Sequence, residues 1–569
     1  MAVIEPSTNI RILNNVKLDP SYANSIYFAS TTAQYNYFVG KQKYNLANYT
    51  YQRVNLGVIR VGLKADLLYD CNYLMFQNTN FGSKWFYAFI TSVEYVNNET
   101  SYVTYQLDEV QTWLFEMTLM PCIIERTHVP TGQDTIGANL VAEPVQLGEY
   151  VYTGQTVAVD NKNSGVIIQI CDVEDVTTYG NRYDETFSGC SLFGYRCDTG
   201  SDVTPIITKL AEYSQKPDAV VGMYTIPWWV IRDHISQSTH YLTEGFNGEY
   251  KTYSYTAIAG NESFGSYTPR NKKLYTYPFN FARFGTGDGQ TMTMRYEFCK
   301  NKTPQIYVRC NATCPVQITA RPINYKGIET PSGTTNNNWQ NFDMELDVSG
   351  FPLCSWTNDY YSTWIAQNAL PLAVGTGFSL AGMMAGAMTP SYNAELTAAG
   401  QVTQSKIGHF MDLDPTKAKH SKWFNYSPAD QENGMDVAMK GVPNAVTGLQ
   451  QMYMASIHAD QFRGTMNNGN VNHANGTNNI YATRVHITPE MCELIDNYFD
   501  KYGYAYGRVG TPNIHVRPKW TYVKTQGCII KGNCPANSTA FVESLYDRGI
   551  TFWADGDEIG RYDLASQNR

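Results

Sequence analysis

A few short stretches carry residue types able to do chemistry. Gly377-Phe378-Ser379-Leu380-Ala381 approaches the G-x-S-x-G elbow, where a tight strand-to-helix turn exposes a nucleophilic serine. Ala381 stands where the second glycine belongs, and no strand-turn-helix pattern surrounds it. Gly285-Thr286-Gly287-Asp288-Gly289 is glycine-rich enough to approach a phosphate, but no Lys-Ser/Thr pair follows and no βαβ unit encloses it. Asp555-Gly556-Asp557-Glu558 lacks the ligand spacing of a calcium loop and reads as a surface turn. Of 12 cysteines, Cys310 with Cys314 and Cys528 with Cys534 form the close pairs, and no CxxC or HxxxH companion completes a tetrahedral set. HExxH is absent, and the 9 histidines are scattered. The sequence therefore assigns no catalytic residue, no metal ligand and no cofactor. Cell-wall hydrolysis needs two carboxylates held a few ångströms apart, and the sequence nominates no such pair.

The strongest signal is an absence of charge. From Tyr360 to Ala394 there is no Asp, Glu, Lys, Arg or His, in a chain that is 16% charged. Trp364, Ile365, Leu370, Leu372, Val374, Phe378, Leu380, Met383, Met384 and Met388 make this arm apolar. Yet Pro371, Gly375, Gly377, Gly382 and Gly386 argue against one continuous core helix, at roughly 1 kcal/mol per glycine and about 3 for proline. A polar middle, Glu395 to Lys440, leads to a second uncharged arm, Gly441 to Ile457, with Val442, Val446, Leu449, Met452, Met454 and Ile457. An Asn/Gly-rich stretch, Asn467 to Asn479, closes the pattern. An insertion that leaves and rejoins a β scaffold at neighbouring points would produce this order. Ala366 to Met388 is long enough for a span of about 20 residues. Gln367, Asn368 and Pro371 dilute it, so a constitutive transmembrane helix is not expected. Gly382 with Gly386, and Ala381 with Ala385, have the small-residue spacing that lets helices approach closely in lipid.

The rest of the 569 residues must position that insertion. Aromatics reach 14%, with 43 tyrosines, which favours strands joined by polar turns. Ser25–Ala29, Lys84–Val96 and Ser101–Leu107 read as strands, Asn97-Asn98-Glu99-Thr100 as a hairpin turn, and Asp108–Phe115 as a short helix. Residues 1–160 thus read as an antiparallel β domain with one short helix. In 161–355, Gly165–Cys171, Gln305–Cys310 and Pro315–Ala320 read as strands, Thr204–Tyr213 as a helix, Pro227-Trp228-Trp229-Val230-Ile231 as a packing or subunit contact, and Gly333–Asn338 as a polar loop. The fold class expected is mainly β, in several small antiparallel barrels or sandwiches, with the long apolar loop over 356–470 and a closing segment over 471–569. A net charge of −9 argues against a tight grip on nucleic acid. The start, MAVIEPSTNIRIL, has no basic and apolar leader, so Sec export is not expected, and scattered cysteines suit folding in a reducing cytoplasm.

Several blocks also carry a family resemblance. Asp108-Glu-Val-Gln-Thr-Trp-Leu-Phe, Pro121-Cys-Ile-Ile-Glu-Arg-Thr-His and Ile136–Tyr150 resemble the tail-knob proteins of small short-tailed phages with protein-primed replication. His486-Ile-Thr-Pro, Tyr502-Gly-Tyr-Ala-Tyr, Arg517–Thr525 and Gly549-Ile-Thr-Phe-Trp add a second match at the carboxy end. The resemblance implies a distal tail-tube subunit of the virion, assembled in the host cytoplasm into a homo-oligomer, a hexameric ring joined to an adjacent tail or collar protein. It further implies that double-stranded DNA passes through the lumen without specific binding. The sixteen apolar residues of the two arms would plug that lumen and then act on the host cytoplasmic membrane during genome entry. The alternative is a tail-tip receptor-binding or cell-wall-degrading protein.

Overall fold

Strands dominate, as the β-branched and aromatic content dictates. The computed structural model describes residues 7–356 except 50–56, 79–81, 163, 173–181, 184–185, 188, 198–199, 214–218, 244, 247 and 331–338, and then 462–465 and 477–569. Contacts group the chain into two units, each assembled from separated pieces. Met1–Tyr150, Gly260–Phe279 and Ile487–Arg569 form the first, and Val151–Ala259 with Asn280–His486 forms the second.

In the first unit a six-stranded sheet runs in the order Gln42–Tyr49, Thr8–Asn14, Cys71–Asn78, Trp85–Asn97, Thr100–Leu107, Val58–Val61. Period-two alternation sends Ile10 and Ile12 to one core with Leu74, Phe76 and Val103. Leu13, Tyr73 and Phe89 enter a second core with Val523, Leu545 and Phe552 from the carboxy-terminal pieces. The expected hairpin forms: Asn97 pairs with Thr100, and the Glu99 amide donates to Asn97 Oδ1 at 2.9 Å. A five-stranded sheet follows the order Asn24–Ile26, Ile550–Trp553, Trp520–Gln526, Cys122–Thr127, Tyr504–Gly510.

One helix was expected before residue 160, over Asp108–Phe115, and it is present as Glu109–Trp113. Its block is a polar clamp. Asp108 caps the helix by accepting from the Gln111 amide (3.0 Å) and from Tyr73 Oη (2.8 Å). Gln111 Nε2 donates to Ser25 Oγ and the Ile26 carbonyl, and Thr112 Oγ1 donates to the Tyr87 carbonyl. A second helix, Thr31–Gly40, corrects the expectation of one. Its inward face holds Phe38, stacked on Tyr73, but also Gln34, bonded to Gln111, so no apolar period marks it in the sequence. Helices Pro489–Tyr502 and Ala536–Arg548 are further additions, in the closing segment for which the sequence assigned no helix.

Two buried groups of this unit titrate with opposite signs. Burial pushes the Asp108 carboxyl from its ordinary 3.8 up to about 7, against the pull of the Gln111 amide and Tyr73 hydroxyl. The native state then holds this proton more tightly than the unfolded chain, so stability falls as pH rises from about 4 to 7. Burial pushes the His128 imidazole down from 6.5 to about 4, so its contribution falls as pH drops across that window. Asp108→Asn keeps the cap acceptor and removes the first slope. Thermal melts between pH 4 and 7 are expected to fall more steeply on acidification for this variant than for the wild type. Parallel profiles would contradict the buried Asp108.

The second unit contains a four-stranded sheet (Tyr150–Val159, Ile480–Ile487, Asn280–Thr286, Thr291–Met294) and another (Glu249–Ser254, Gln305–Cys310, Ile318–Ile323, Leu346–Val348). Its five-stranded sheet runs Ser191–Arg196, Ser164–Ile170, Val220–Pro227, Leu353–Trp356, Phe462–Thr465. The expected helix appears as Gly200–Glu212. The polar loop expected at Gly333–Asn338 lies outside the described residues.

Candidate functional site at the root of the insertion

The last two strands of that five-stranded sheet are the ends of the apolar excursion. Leu353 pairs with Thr465, Cys354 with Gly464, Ser355 with Arg463 and Trp356 with Phe462, all antiparallel. The chain therefore leaves the sheet at Trp356 and re-enters directly opposite, at Phe462. Paired residues of antiparallel strands have Cα atoms roughly 4.5–5.5 Å apart, so the whole stretch between departs and returns through one narrow base. All sixteen apolar residues assigned from sequence, Trp364 to Met388 and Val442 to Ile457, lie outside the described residues, as does the serine elbow at Ser379. Among the described residues no helix is long and apolar enough to cross a membrane.

A buried neighbouring strand anchors the base. Val220–Pro227 lies between two neighbours and buries Met223, Tyr224, Thr225 and Ile226 completely. Tyr224 Oη donates to the Ala312 carbonyl at 2.6 Å. The Thr225 amide donates to the Pro352 carbonyl at 2.9 Å, one residue before the outgoing strand begins. Trp228–Ile231 follows as a helical turn, and Val230 and Ile231 are buried, so the apolar Pro227–Ile231 stretch packs within the unit. Trp229 Nε1 donates to Asn161 Oδ1, whose Nδ2 donates to the Asn478 carbonyl, while Asn479 Oδ1 accepts from the Asn161 amide. Asn478 and Asn479, at the close of the Asn/Gly-rich stretch, are thus pinned to Asn161.

The stretches weighed for chemistry resolve into structure. Gly285–Gly289 is the hairpin between Asn280–Thr286 and Thr291–Met294, with Gly289 at φ +87° and its amide donating to the Thr286 carbonyl at 3.1 Å. A Cβ on Gly287 would strike the Thr477 carbonyl, which explains a glycine there without a phosphate. Asp555–Glu558 is a 3-10 turn, with Lys41 on Asp557 and Lys519 on Glu558. Among the described residues no group of His, Cys, Asp and Glu is arranged to hold a metal ion.

Sequence reasoning missed a buried ionic cluster in the first unit. Glu143 receives Arg126 and Lys273, the latter at 2.5 Å, with the Ala505 amide at 2.8 Å. Asp496 receives Tyr267 Oη, the Arg270 amide and Asn271, while Asp500 takes Arg270, Asn271 and Arg569. Tyr504 donates to Asp134. His128 accepts from the Tyr522 amide at Nδ1, which leaves the Nε2 proton for the Asp500 carbonyl at 3.1 Å. Every carboxylate here is met by a cation, amide or hydroxyl, so the cluster ties separated chain segments together. Its members come from pieces up to hundreds of residues apart, and no local signal joins them. The resembling blocks supply some of them: Arg126, His128, Glu143 and Tyr504 lie in the motifs quoted above. Gly503, at φ +66°, sits against the Thr127 carbonyl, which leaves no room for a side chain.

Comparison with known proteins gives this arrangement a context. A family model described as Bacillus phage phi29 tail knob protein gp9, C-terminal domain, matches residues 238–567, and one for the caudoviral major tail protein N-terminus matches 6–118. The chain is 25% identical to tail knob protein gp9 of Bacillus phage phi29 and 24% identical to that of Bacillus phage PZA, each over 99% of both chains. The structure of the bacteriophage C1 tail knob protein gp12 aligns with a TM-score of 0.60 at 12% identity, covering 98% of this chain and 99% of that one, and shares its fold. The class is that of phage tail proteins. The chain belongs to the tail knob protein gp9 family and is a structural component of the virion tail.

Proposed function

We propose that this tail-knob subunit is a non-enzymatic wall element of a DNA conduit and carries a membrane-active insertion rooted at Trp356 and Phe462. The pairing of those two residues is the observation that supports it most. An apolar excursion with both ends fixed on one sheet can be stored and released without disturbing its scaffold. Copies assemble head-to-tail into a closed ring, a hexamer, because a heterologous interface that closes on itself encloses a channel. The ring joins an adjacent tail or collar protein and is assembled in the host cytoplasm. Double-stranded DNA passes without specific contacts; the net charge of −9 suits this, since Lys/Arg contacts to phosphate would retard passage. The arms Trp364–Met388 and Val442–Ile457 plug the lumen before ejection and meet the host cytoplasmic membrane afterwards. Their glycines and proline permit one shape in the tube and another in lipid. Mass measurement in solution tests the assembly. The expected species is six times the chain mass, and a strict monomer at high concentration would contradict the ring.

A further inference from the structure

In the second unit, the ladder between Ser164–Ile170 and Ser191–Arg196 ends on two cysteines. The register pairs Gly165 with Arg196 and runs without a slip to Ile170 opposite Ser191. Continued one step, the same register puts Cys171 opposite Cys190, and the two thiols share a side-chain hydrogen bond. The Cys197 amide donates to the Ser164 carbonyl at 2.9 Å, which makes that position a hydrogen-bonded pair. Counting by twos, Cys171 opposite Cys190 falls on a non-hydrogen-bonded position. The Cys171 amide agrees, since it turns away to the Ala219 carbonyl at 2.7 Å. Such pairs hold their Cα atoms about 4.5 Å apart with side chains drawn together, at the short end of the range a disulfide spans, about 4.4–6.8 Å. Cys171 Sγ already reaches the Gly189 carbonyl at 3.6 Å, next to its partner. Neither cysteine is in a disulfide in this structure; Cys171 is exposed and Cys190 buried.

We propose that Cys171 and Cys190 are an oxidisable thiol pair, a modification site that closes to a cross-strand disulfide by exchange with a small disulfide such as oxidised glutathione. The exposed Cys171 thiolate attacks one glutathione sulfur, forming the mixed disulfide and releasing one glutathione thiolate. Cys190 then attacks Cys171 Sγ, the mixed bond breaks, and the second glutathione leaves. The two cysteine protons end on the two glutathione thiols, so the protein dithiol is oxidised by two electrons and the small disulfide is reduced. Burial, with the Cys171 sulfur beside it, pushes the Cys190 thiol up to about 11, so Cys190 is the resolving thiol and closure quickens as pH rises. The staple lies in the same sheet that roots the insertion. It forms only once the protein leaves a reducing compartment, and it goes beyond the membrane reading, on which it does not depend.

The full chain, incubated with oxidised glutathione and then alkylated and peptide-mapped, tests this. The expected product is a Cys171–Cys190 cross-linked peptide that dithiothreitol reverses. Cys190→Ser should stop at a glutathione adduct on Cys171, and Cys171→Ser should give neither adduct nor cross-link at Cys190. The oxidised wild type should melt roughly 5 °C higher than the reduced protein. A wild type that ends as a stable Cys171 adduct, a failure of both thiols to react, or an unchanged melting temperature would overturn the proposal.

Discussion

Replacing Glu143 with Ala is expected to destabilise the first unit by about 3–5 kcal/mol, the usual cost of stripping one partner from a buried ion pair. The Glu143 side chain is 1% exposed, and its partners Arg126 and Lys273 are 8% and 4% exposed. Removal leaves two buried cations facing each other without the carboxylate between them. Burial already holds the Lys273 ammonium below its ordinary range, and Glu143 is the foremost group opposing that. The Ala505 amide loses its acceptor as well. Denaturant titration of the full chain reads the loss, with a fall in melting temperature of roughly 10 °C. Glu143→Gln keeps the amide's acceptor and loses less. Glu143→Ala combined with Lys273→Met should recover part of the loss, because one orphaned charge goes with the carboxylate. A loss below about 1 kcal/mol would mean the cluster behaves like an exposed pair.

Trp553→Ala carries a comparable expected cost, about 3–5 kcal/mol, by a different route. Trp553 is fully buried, 5.0 Å from the Trp520 ring and 5.2 Å from Tyr562, and its Nε1 donates to Asn24 at 2.9 Å. The strand it ends, Ile550–Trp553, bridges Asn24–Ile26 and Trp520–Gln526, so the cavity would open where the chain's two ends meet. Trp553→Phe fills most of the space and should cost clearly less. Urea unfolding with an unchanged slope and a lower midpoint would mark a pure packing loss. Equal stability of the Ala and Phe variants would contradict it.

How much was legible follows from how local each signal is. Strands Trp85–Asn97 and Thr100–Leu107 and the turn between them announce themselves by aromatic and β-branched runs around Asn98-Glu99. Helix Thr31–Gly40 does not, because its buried face mixes Phe38 with Gln34, and only Ser30 as N-cap marks its start. Thr488-Pro489 before Pro489–Tyr502 and Gly549 after Ala536–Arg548 are helix-boundary signals that the sequence carries among strand-rich surroundings. The ionic cluster around Glu143 and Asp500 was invisible, since its partners meet only in the folded chain. The resembling blocks contain part of it, as Arg126, His128, Glu143 and Tyr504 each tie separated segments together. The excursion was legible as a charge pattern, and the pairing of Trp356 with Phe462 supplies the geometry that pattern lacked.

The most direct test of that proposal compares the full chain with a deletion of 360–457 on liposomes loaded with a self-quenched dye. Joining 359 to 458 leaves a short connection between directly paired strand ends, so the scaffold should fold and melt as before. The account predicts dye release by the full chain once the arms are freed by mild heating or acidification, and none by the deletion variant. Equal release by both, or no release by the full chain at any pH or concentration, would contradict it.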